Sequence, residues 1–246
     1  MISRYSLKLV PPDGLRLSHG DAYRLYAALL EQLPYDYAEQ LHESEITPIA
    51  QYLQYDRDSR EYRWNVSLFG NEACERFGNV LKSLEYIELE QGSIGSLMIS
   101  ADEYPDAASL IAKAEQLPES GIRNMTFLTP TTFKSGGEYV LFPSAELIIK
   151  SIISRMEQLC EDISVSDEDA VRMLIDGVRI TGYELRSTGF FLKGQRIPSF
   201  IGSVRLRSRL SAPMQELWNL LLVVAGLSGV GIKPALGMGA VRVNTE

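Results

Sequence analysis

Cysteine is nearly absent from this chain. Cys74 and Cys160 are the only two among 246 residues; they fall in separate helical patterns, without metal-ligand spacing and without a framework of pairs. That excludes a disulfide scaffold and a thiolate-bound zinc, and both are expected to be buried, reduced thiols. No run of about 18 apolar residues occurs, and the N-terminal MISRYSLKLVPPDG lacks the apolar core that a signal peptide needs. The chain is therefore expected to be soluble and cytoplasmic, with no membrane contact. Histidine is as scarce, since His19 and His42 are the only imidazoles, and no lysine occurs between Lys8 and Lys82. A P-loop ending of the GK[ST] kind is missing too. The glycine-rich segment that is present follows a helix and precedes a strand, the reverse of the dinucleotide fingerprint, which argues against a nucleotide-dependent metabolic enzyme. No metal site and no cofactor is expected.

What the chain does have is core-forming residues, charge asymmetry and glycine. Hydrophobic residues make up 45%, and the length exceeds the ~100 to 150 residues of a usual domain, so two domains are expected. A net charge of −8 argues against indiscriminate binding to nucleic acid. The charge is uneven, however. From Val178 to Leu210 the basic residues are Arg179, Arg186, Lys193, Arg196, Arg205, Arg207 and Arg209 against Glu184 alone, a local +6 that leaves −14 elsewhere.

Hydropathy periods order the elements. Ile2 to Val10 alternates as a strand, with Tyr5, Leu7 and Leu9 on one face, and Pro11-Pro12-Asp13-Gly14 ends it. Tyr23, Tyr26, Ala27, Leu30 and Leu33 predict a helix over 20–33. Residues 34–45 show no clear period. Thr47 to Tyr55 and Glu61 to Phe69 read as a strand hairpin, Asn71 as the cap of a helix over 72–84, and Tyr86 to Leu89 as a closing strand that continues at Ile94 to Ile99. An acidic stretch with Pro105 and Pro118 marks a connection, with a short helix over 107–116. The order then repeats: a strand over 123–128 that resumes at 139–142, a helix to Leu159 capped by Ser144, and a short inserted helix opened by Ser166 in a box-like pattern with Asp169. Strands over 178–187 and 199–210 follow, separated by a loop over 189–198, then a buried helix over 214–225 and a last strand over 240–243. Twice β-α-β-β-α-β is an α+β chain of two tandem ferredoxin-like, RRM-like domains, expected at 1–101 and 121–246 with 102–120 between them.

Two features of the second half carry the chemistry. Arg205, Arg207 and Arg209 alternate with Val204, Leu206 and Leu210, so the guanidiniums share one strand face about 7 Å apart. They repel one another unless carboxylates or an anionic ligand lies across them. The stretch GLSGVGIKPALGMG, Gly226 to Gly239, holds five glycines, enough bare backbone for a tight turn or for a nest of amides around a phosphate. Together they point to a nucleic-acid backbone bound by Arg205, Arg207 and Arg209, with Lys193 and Arg196 from the adjacent loop and Gly229, Gly231, Lys233, Gly237 and Gly239 from the glycine stretch.

The tandem units, FLTPTTF at Phe127 to Phe133, FIGSVRL at Phe200 to Leu206 and the terminal AGLSGVGIKPALGMG resemble the CRISPR-associated repeat-processing endoribonucleases, of a superfamily marked by a glycine-rich loop before the last strand. The resemblance spans nearly the whole chain. It implies metal-independent cleavage of precursor RNA within each CRISPR repeat, the ribose 2′-OH attacking the adjacent phosphate to leave a 2′,3′-cyclic phosphate and a 5′-OH. His42, in LHESEITPIAQYL, matches the family's histidine-bearing stretch and is the expected base, while His19 reads as a turn residue. Tyr35 and Tyr37 are the phenols offered for acid or phosphate-donor roles. The missing lysine departs from the lysine-containing pattern and leaves the cationic role to an arginine or to no residue at all. The expected partner is CRISPR repeat RNA, bound as monomer or homodimer. A second reading is a non-catalytic RNA-binding subunit of a CRISPR effector complex, whose members share the fold and the loop.

Overall fold

The computed structural model describes residues 1–44, 46–118, 120–160, 163–165 and 167–245. They form two units, Met1–Pro105 with Lys233–Gly237, and Asp106–Ile232 with Met238–Glu246. The expected connection is thus shared: its first residues extend a strand of the first unit, and its helix belongs to the second.

In the first unit, β1 (Ile2–Val10) leads through one 3₁₀ turn (His19–Asp21) to α1 (Ala22–Leu30) and α2 (Tyr35–Glu43). Then come β2 (Ile49–Asp56), β3 (Glu61–Phe69), α3 (Asn71–Ser83), β4 (Tyr86–Leu89) and β5 (Gly92–Tyr104). The antiparallel sheet runs β2-β3-β1-β5-β4, so the strand that closes the ferredoxin-like order is β5. β4, expected in that place, is an added edge paired to β5 by a hairpin. Alternation in β1 works as expected: Tyr5, Leu7 and Leu9 join Leu25, Trp64 and Phe77 in the core, while Arg4, Ser6 and Lys8 stay only partly covered. Two local expectations change. Residues 35–43 are helical, and the cap of α3 is Gly70 at φ 86°, which leaves Asn71 as the first helical residue.

The second unit begins with α4 (Ala107–Glu115), whose cap Asp106 accepts from Ser109 N at 2.9 Å. β6 (Ile122–Thr131) is followed by the small hairpin β7 (Phe133–Ser135) and β8 (Glu138–Val140), then α5 (Ala145–Leu159) and α6 (Glu168–Gly177). Ser144 caps α5 as expected. The Ser166 cap lies outside the described residues, and Asp167 caps α6 by accepting from Asp169 N and Ala170 N. β9 (Val178–Leu192), β10 (Gln195–Ser208), α7 (Ala212–Ser228) and β11 (Val241–Thr245) complete the order β11-β6-β10-β9. This is again the ferredoxin-like order of fourth, first, third and second strand. The expected loop over 189–198 is instead strand on both sides of a two-residue turn, Lys193 and Gly194, both at positive φ, the geometry that fits strand twist. Met125, Phe127, Val204 and Leu206 turn one sheet face onto Ile152, Met156, Trp218 and Leu221. The other face is left open.

Residues 229–240 explain the glycines. Gly231 N donates to Ser151 Oγ at 2.7 Å, Ile232 N to Thr132 O at 3.1 Å, Gly239 N to Pro130 O at 3.2 Å and Ala240 N to Thr129 Oγ1 at 3.1 Å. Most acceptors come from the FLTPTTF segment. A Cβ at Gly239, held at φ 73°, would run into Val230 O, and one at Gly231, at φ 77°, into Thr132 O. No side chain larger than hydrogen fits there. We therefore expect Gly239→Ala to cost about 1–3 kcal/mol and to lower Tm by roughly 3–10 °C. Gly136→Ala, also at positive φ but with nothing within 4 Å, should cost about 1 kcal/mol. Thermal unfolding of both variants separates collision from strain.

Candidate functional site

Helix α2 is short, and its faces differ sharply. Tyr37 and Leu41, four apart, are buried. The Tyr37 ring meets Phe77 edge to face at 6.0 Å, the Arg76 guanidinium lies 4.8 Å from its centre, and only 4% of the residue is exposed. Burial pushes its phenol up to about 12, with Glu72 adding to the rise and Arg76 opposing it. Tyr35 and His42 are seven apart, two turns of helix, and share the solvent face about 10 Å apart along the axis. Tyr35 is 80% exposed, and His42 is exposed in the last turn. The structure thus separates the two tyrosines expected beside His42: Tyr35 shares its face, whereas Tyr37 is a core residue that anchors the helix. The other imidazole, His19, is committed, its Nδ1 donating to Leu53 O at 2.9 Å. The cation in contact with α2, Arg76, sits on the packed side and is paired with Glu72 at 2.9 Å.

The basic strand is placed as its alternation requires. Arg205 and Arg207 project from the open face of β10 while Val204 and Leu206 are buried. β10 ends at Ser208, so Arg209 lies just past it, exposed, with its amide on Gly177 O at 2.8 Å. The register adds residues that alternation within one segment did not reveal. Arg207 stands opposite Arg179 of β9, Arg205 opposite Asn124 of β6, and Ser203 opposite both Glu184 and Thr126, which itself faces Arg242 of β11. Arg186, opposite Ile201, extends the same face. Like charges placed directly opposite across a ladder are destabilising. Among the described residues, Arg179, Arg186, Arg207 and Arg242 form no ion pair. In the first unit two cations of the open sheet face are neutralised, Lys8 by Glu61 at 2.6 Å and Arg63 by Asp56 at 3.7 Å. Lys8 also holds the Glu61 carboxyl below its ordinary range through that hydrogen bond. The alternation VRVN at 241–244 was the signal for Arg242, whereas nothing local marks Arg179 as the partner of Arg207, because a bulge sets that register.

The remaining expected contacts lie elsewhere. Lys193 and Arg196 are at the tip of the β9–β10 hairpin, with Arg196 Nη2 donating to Thr188 O at 3.3 Å. At about 3.3 Å per residue, Arg196 is roughly 30 Å from Arg205 along the strand. Phe190 and Ile197 at the base of that tip pack on Met238. Gly229, Gly237 and Gly239 are buried, and the amides of Gly229, Gly231, Gly237 and Gly239 all donate within the protein. The expected phosphate nest is thus corrected: these amides have acceptors already, and the glycines serve the fold. Lys233, at φ 55°, is exposed. Cys74 is buried, with burial pushing its thiol up, and Cys160 is half-buried; the two are not joined by a disulfide. Among the described residues no three His, Cys, Asp or Glu side chains gather as a metal site, and no helix is long and apolar enough to cross a membrane.

Comparison with known proteins finds similarity in sequence and in fold. Residues 125–241 match the family model of the CRISPR-associated endoribonuclease Cas6. The chain is 28% identical over 224 residues to the Cas6 endoribonuclease of Streptococcus thermophilus, covering 90% of each. It is 28% identical over 222 residues to that of Mycobacterium tuberculosis, covering 89% of this chain and 70% of the relative. Its fold is similar to a Cas6 in its product complex, with a TM-score of 0.78 at 20% identity over 100% of both chains. It is also similar to Thermus thermophilus Cas6, with a TM-score of 0.75 at 20% identity over 99% of this chain and 98% of that one.

The assignment of faces on α2 can be checked by stability alone. Tyr37→Ala should cost about 3–5 kcal/mol, the range for removing a buried aromatic, and Tyr35→Ala should stay within about 0.5 kcal/mol of the parent, both read from urea unfolding midpoints.

Proposed function

We propose, with the chain a member of the Cas6 family of CRISPR-associated endoribonucleases, that it cuts precursor CRISPR RNA within its repeats, with His42 as the general base and no metal in the step. Neutral His42 takes the proton of a ribose 2′-OH. The freed oxygen attacks the adjacent phosphorus, the bond from phosphorus to the 5′-oxygen breaks, and that oxygen is protonated as it leaves. The products are a 2′,3′-cyclic phosphate and a 5′-OH. An imidazole suits both proton transfers because its ordinary pKa lies near neutrality. Tyr35, two turns away on the same face, supplies a phenol that donates to the phosphate. Tyr37 contributes by holding α2 in place.

The observation that carries this reading is the standing of the two histidines: His42 is exposed on the free face of α2, while His19 is bound to Leu53 O. RNA is held by the open face of the second sheet. Arg205 and Arg207 neutralise phosphates there, Arg209 and Arg242 extend the field, and Lys193, Arg196 and Lys233 are exposed cations available to more distant parts of the strand. The pairing of Arg207 with Arg179 is a local cost that a phosphate between them relieves.

Incubation with the cognate repeat RNA in EDTA tests the chemistry. The parent should cleave, and His42→Ala should bind equally well and cleave about 10²- to 10⁴-fold more slowly, the usual worth of acid–base catalysis. Cleavage retained by His42→Ala removes that residue from the mechanism, and a requirement for added metal removes the metal-free step. Binding without cleavage by the parent would turn the reading to the non-catalytic subunit. For the basic face, Arg205→Ala and Arg207→Ala should each weaken binding and reduce the slope of log affinity against log salt by about 1. Equal affinity and equal slope would take RNA off that face.

A further inference from the structure

At the β9 edge of the second sheet lies a cleft of about 610 Å³, walled by Phe142, Pro143, Ile175, Ile180 and Tyr183 and floored by Thr181 and Gly182. Phe142 and Tyr183 meet edge to face at 5.1 Å, yet they remain 55% and 60% exposed. An edge-to-face pair leaves ring faces free, and two large rings held side by side in water gain little by burial. The cleft lies on the helix side of that edge: Tyr183 stands opposite buried Val204 and Ile180 opposite buried Leu206, so their side chains share the packed face, while the row of Arg205 and Arg207 occupies the other. Gly182 in its floor is the register partner of Arg205, and Arg179 in its wall is that of Arg207. Between them Thr181 is displaced by a bulge and tied to Arg205 O at 3.3 Å. β9 is the last strand of its sheet, so no further strand lies between cleft and solvent.

Charge decides which part of a nucleotide belongs inside. The Arg179 guanidinium donates to the carbonyls of Ile175 at 2.6 Å and Val178 at 3.0 Å, neutral acceptors that orient it without cancelling its charge. Asp176 and Glu146 also line the cleft, and Glu146 is paired with Lys150 at 2.6 Å. Carboxylates repel a phosphate but accept hydrogen bonds from the amino and imino edges of a base. A base inside and a phosphate on Arg179 satisfies both signs.

We propose that this cleft takes one unpaired nucleobase of the RNA, stacked on the free ring faces of Phe142 and Tyr183, with a flanking phosphate on Arg179 in the cleft wall. Base stacking on aromatic side chains is the usual means of holding single-stranded RNA. The assignment rests on the RNA-processing reading above and adds to it a site for an unpaired residue of the substrate.

The test uses the full chain and repeat RNA carrying a 2′-deoxyribose at the cleavage position, with 2-aminopurine placed at each unpaired position in turn. One position should change fluorescence on binding. Tyr183→Ala and Phe142→Ala should abolish that change and weaken binding about 5- to 100-fold, while Tyr183→Phe keeps both. Both side chains are exposed, so the alanine variants should melt with the parent, and that is measured alongside. Alanine variants that bind within twofold of the parent with the fluorescence change intact overturn the site, and if Arg205→Ala still loses affinity the wider RNA-binding reading survives. Alanine variants that alter sedimentation but not RNA binding assign the aromatic pair to a protein contact and overturn the site as well. A parent that does not bind the repeat overturns both readings.

Discussion

Buried backbone amides must find acceptors, and the fit of residues 229–240 to that rule organises the second unit. The donors sit in the glycine-rich segment, and the acceptors are Thr129 Oγ1, Pro130 O and Thr132 O in FLTPTTF, with Ser151 Oγ from α5. Proline is well placed in that template, since it offers a carbonyl and needs no acceptor of its own. Two motifs a hundred residues apart are therefore one structural device. Gly231 and Gly239 are required because carbonyls approach their α-carbons too closely for any side chain, and their amides are already bound within the protein.

The two units carry different chemistry on a shared plan. In the first, two cations of the open sheet face stand beside acids, Lys8 with Glu61 and Arg63 with Asp56, and α2 presents His42 on its exposed side. In the second, Arg179, Arg186, Arg207 and Arg242 form no ion pair among the described residues.

Most elements were legible because their burial is one-sided: the alternation of β1 and β10 and the period of α3 mark which residues turn inward. In α1 the expected stripe misses the mark, since Ala22, Leu25 and Leu29 are buried beside Tyr26 while Tyr23, Ala27 and Leu30 are only partly covered. α2 was not legible, because YDYAEQLHE offers just Tyr37 and Leu41 to the core, too few points to establish a period. The strands through residues 188–198 were hidden by Gly189, Gly194 and Pro198. Pro198 is tolerated because β10 pairs there with β9 at Gly189, before its pairing with β6 begins at Phe200, so its missing N–H is no loss on that side. For the site, the face of Arg205 and Arg207 could be read from spacing alone. The opposition of Arg207 to Arg179 and the arrival of Arg242 on the same face depend on register and strand order, which a linear pattern does not encode. Tyr37 was drawn toward the site by its closeness in sequence to His42, whereas helix geometry turns it to the core.

The first unit contains five residues from late in the chain, Lys233–Gly237. Gln51 shows what they complete: its amide receives Trp64 Nε1–H at 2.8 Å and donates to Ala22 O and Ala235 O, each at 2.9 Å. A ribosome delivers Gln51 and Trp64 long before Ala235. Until then the first unit holds a half-satisfied amide inside its core, so this body, unlike the usual early-folding leading domain, reaches its final form only after the intervening second-unit residues 106–232 have been made.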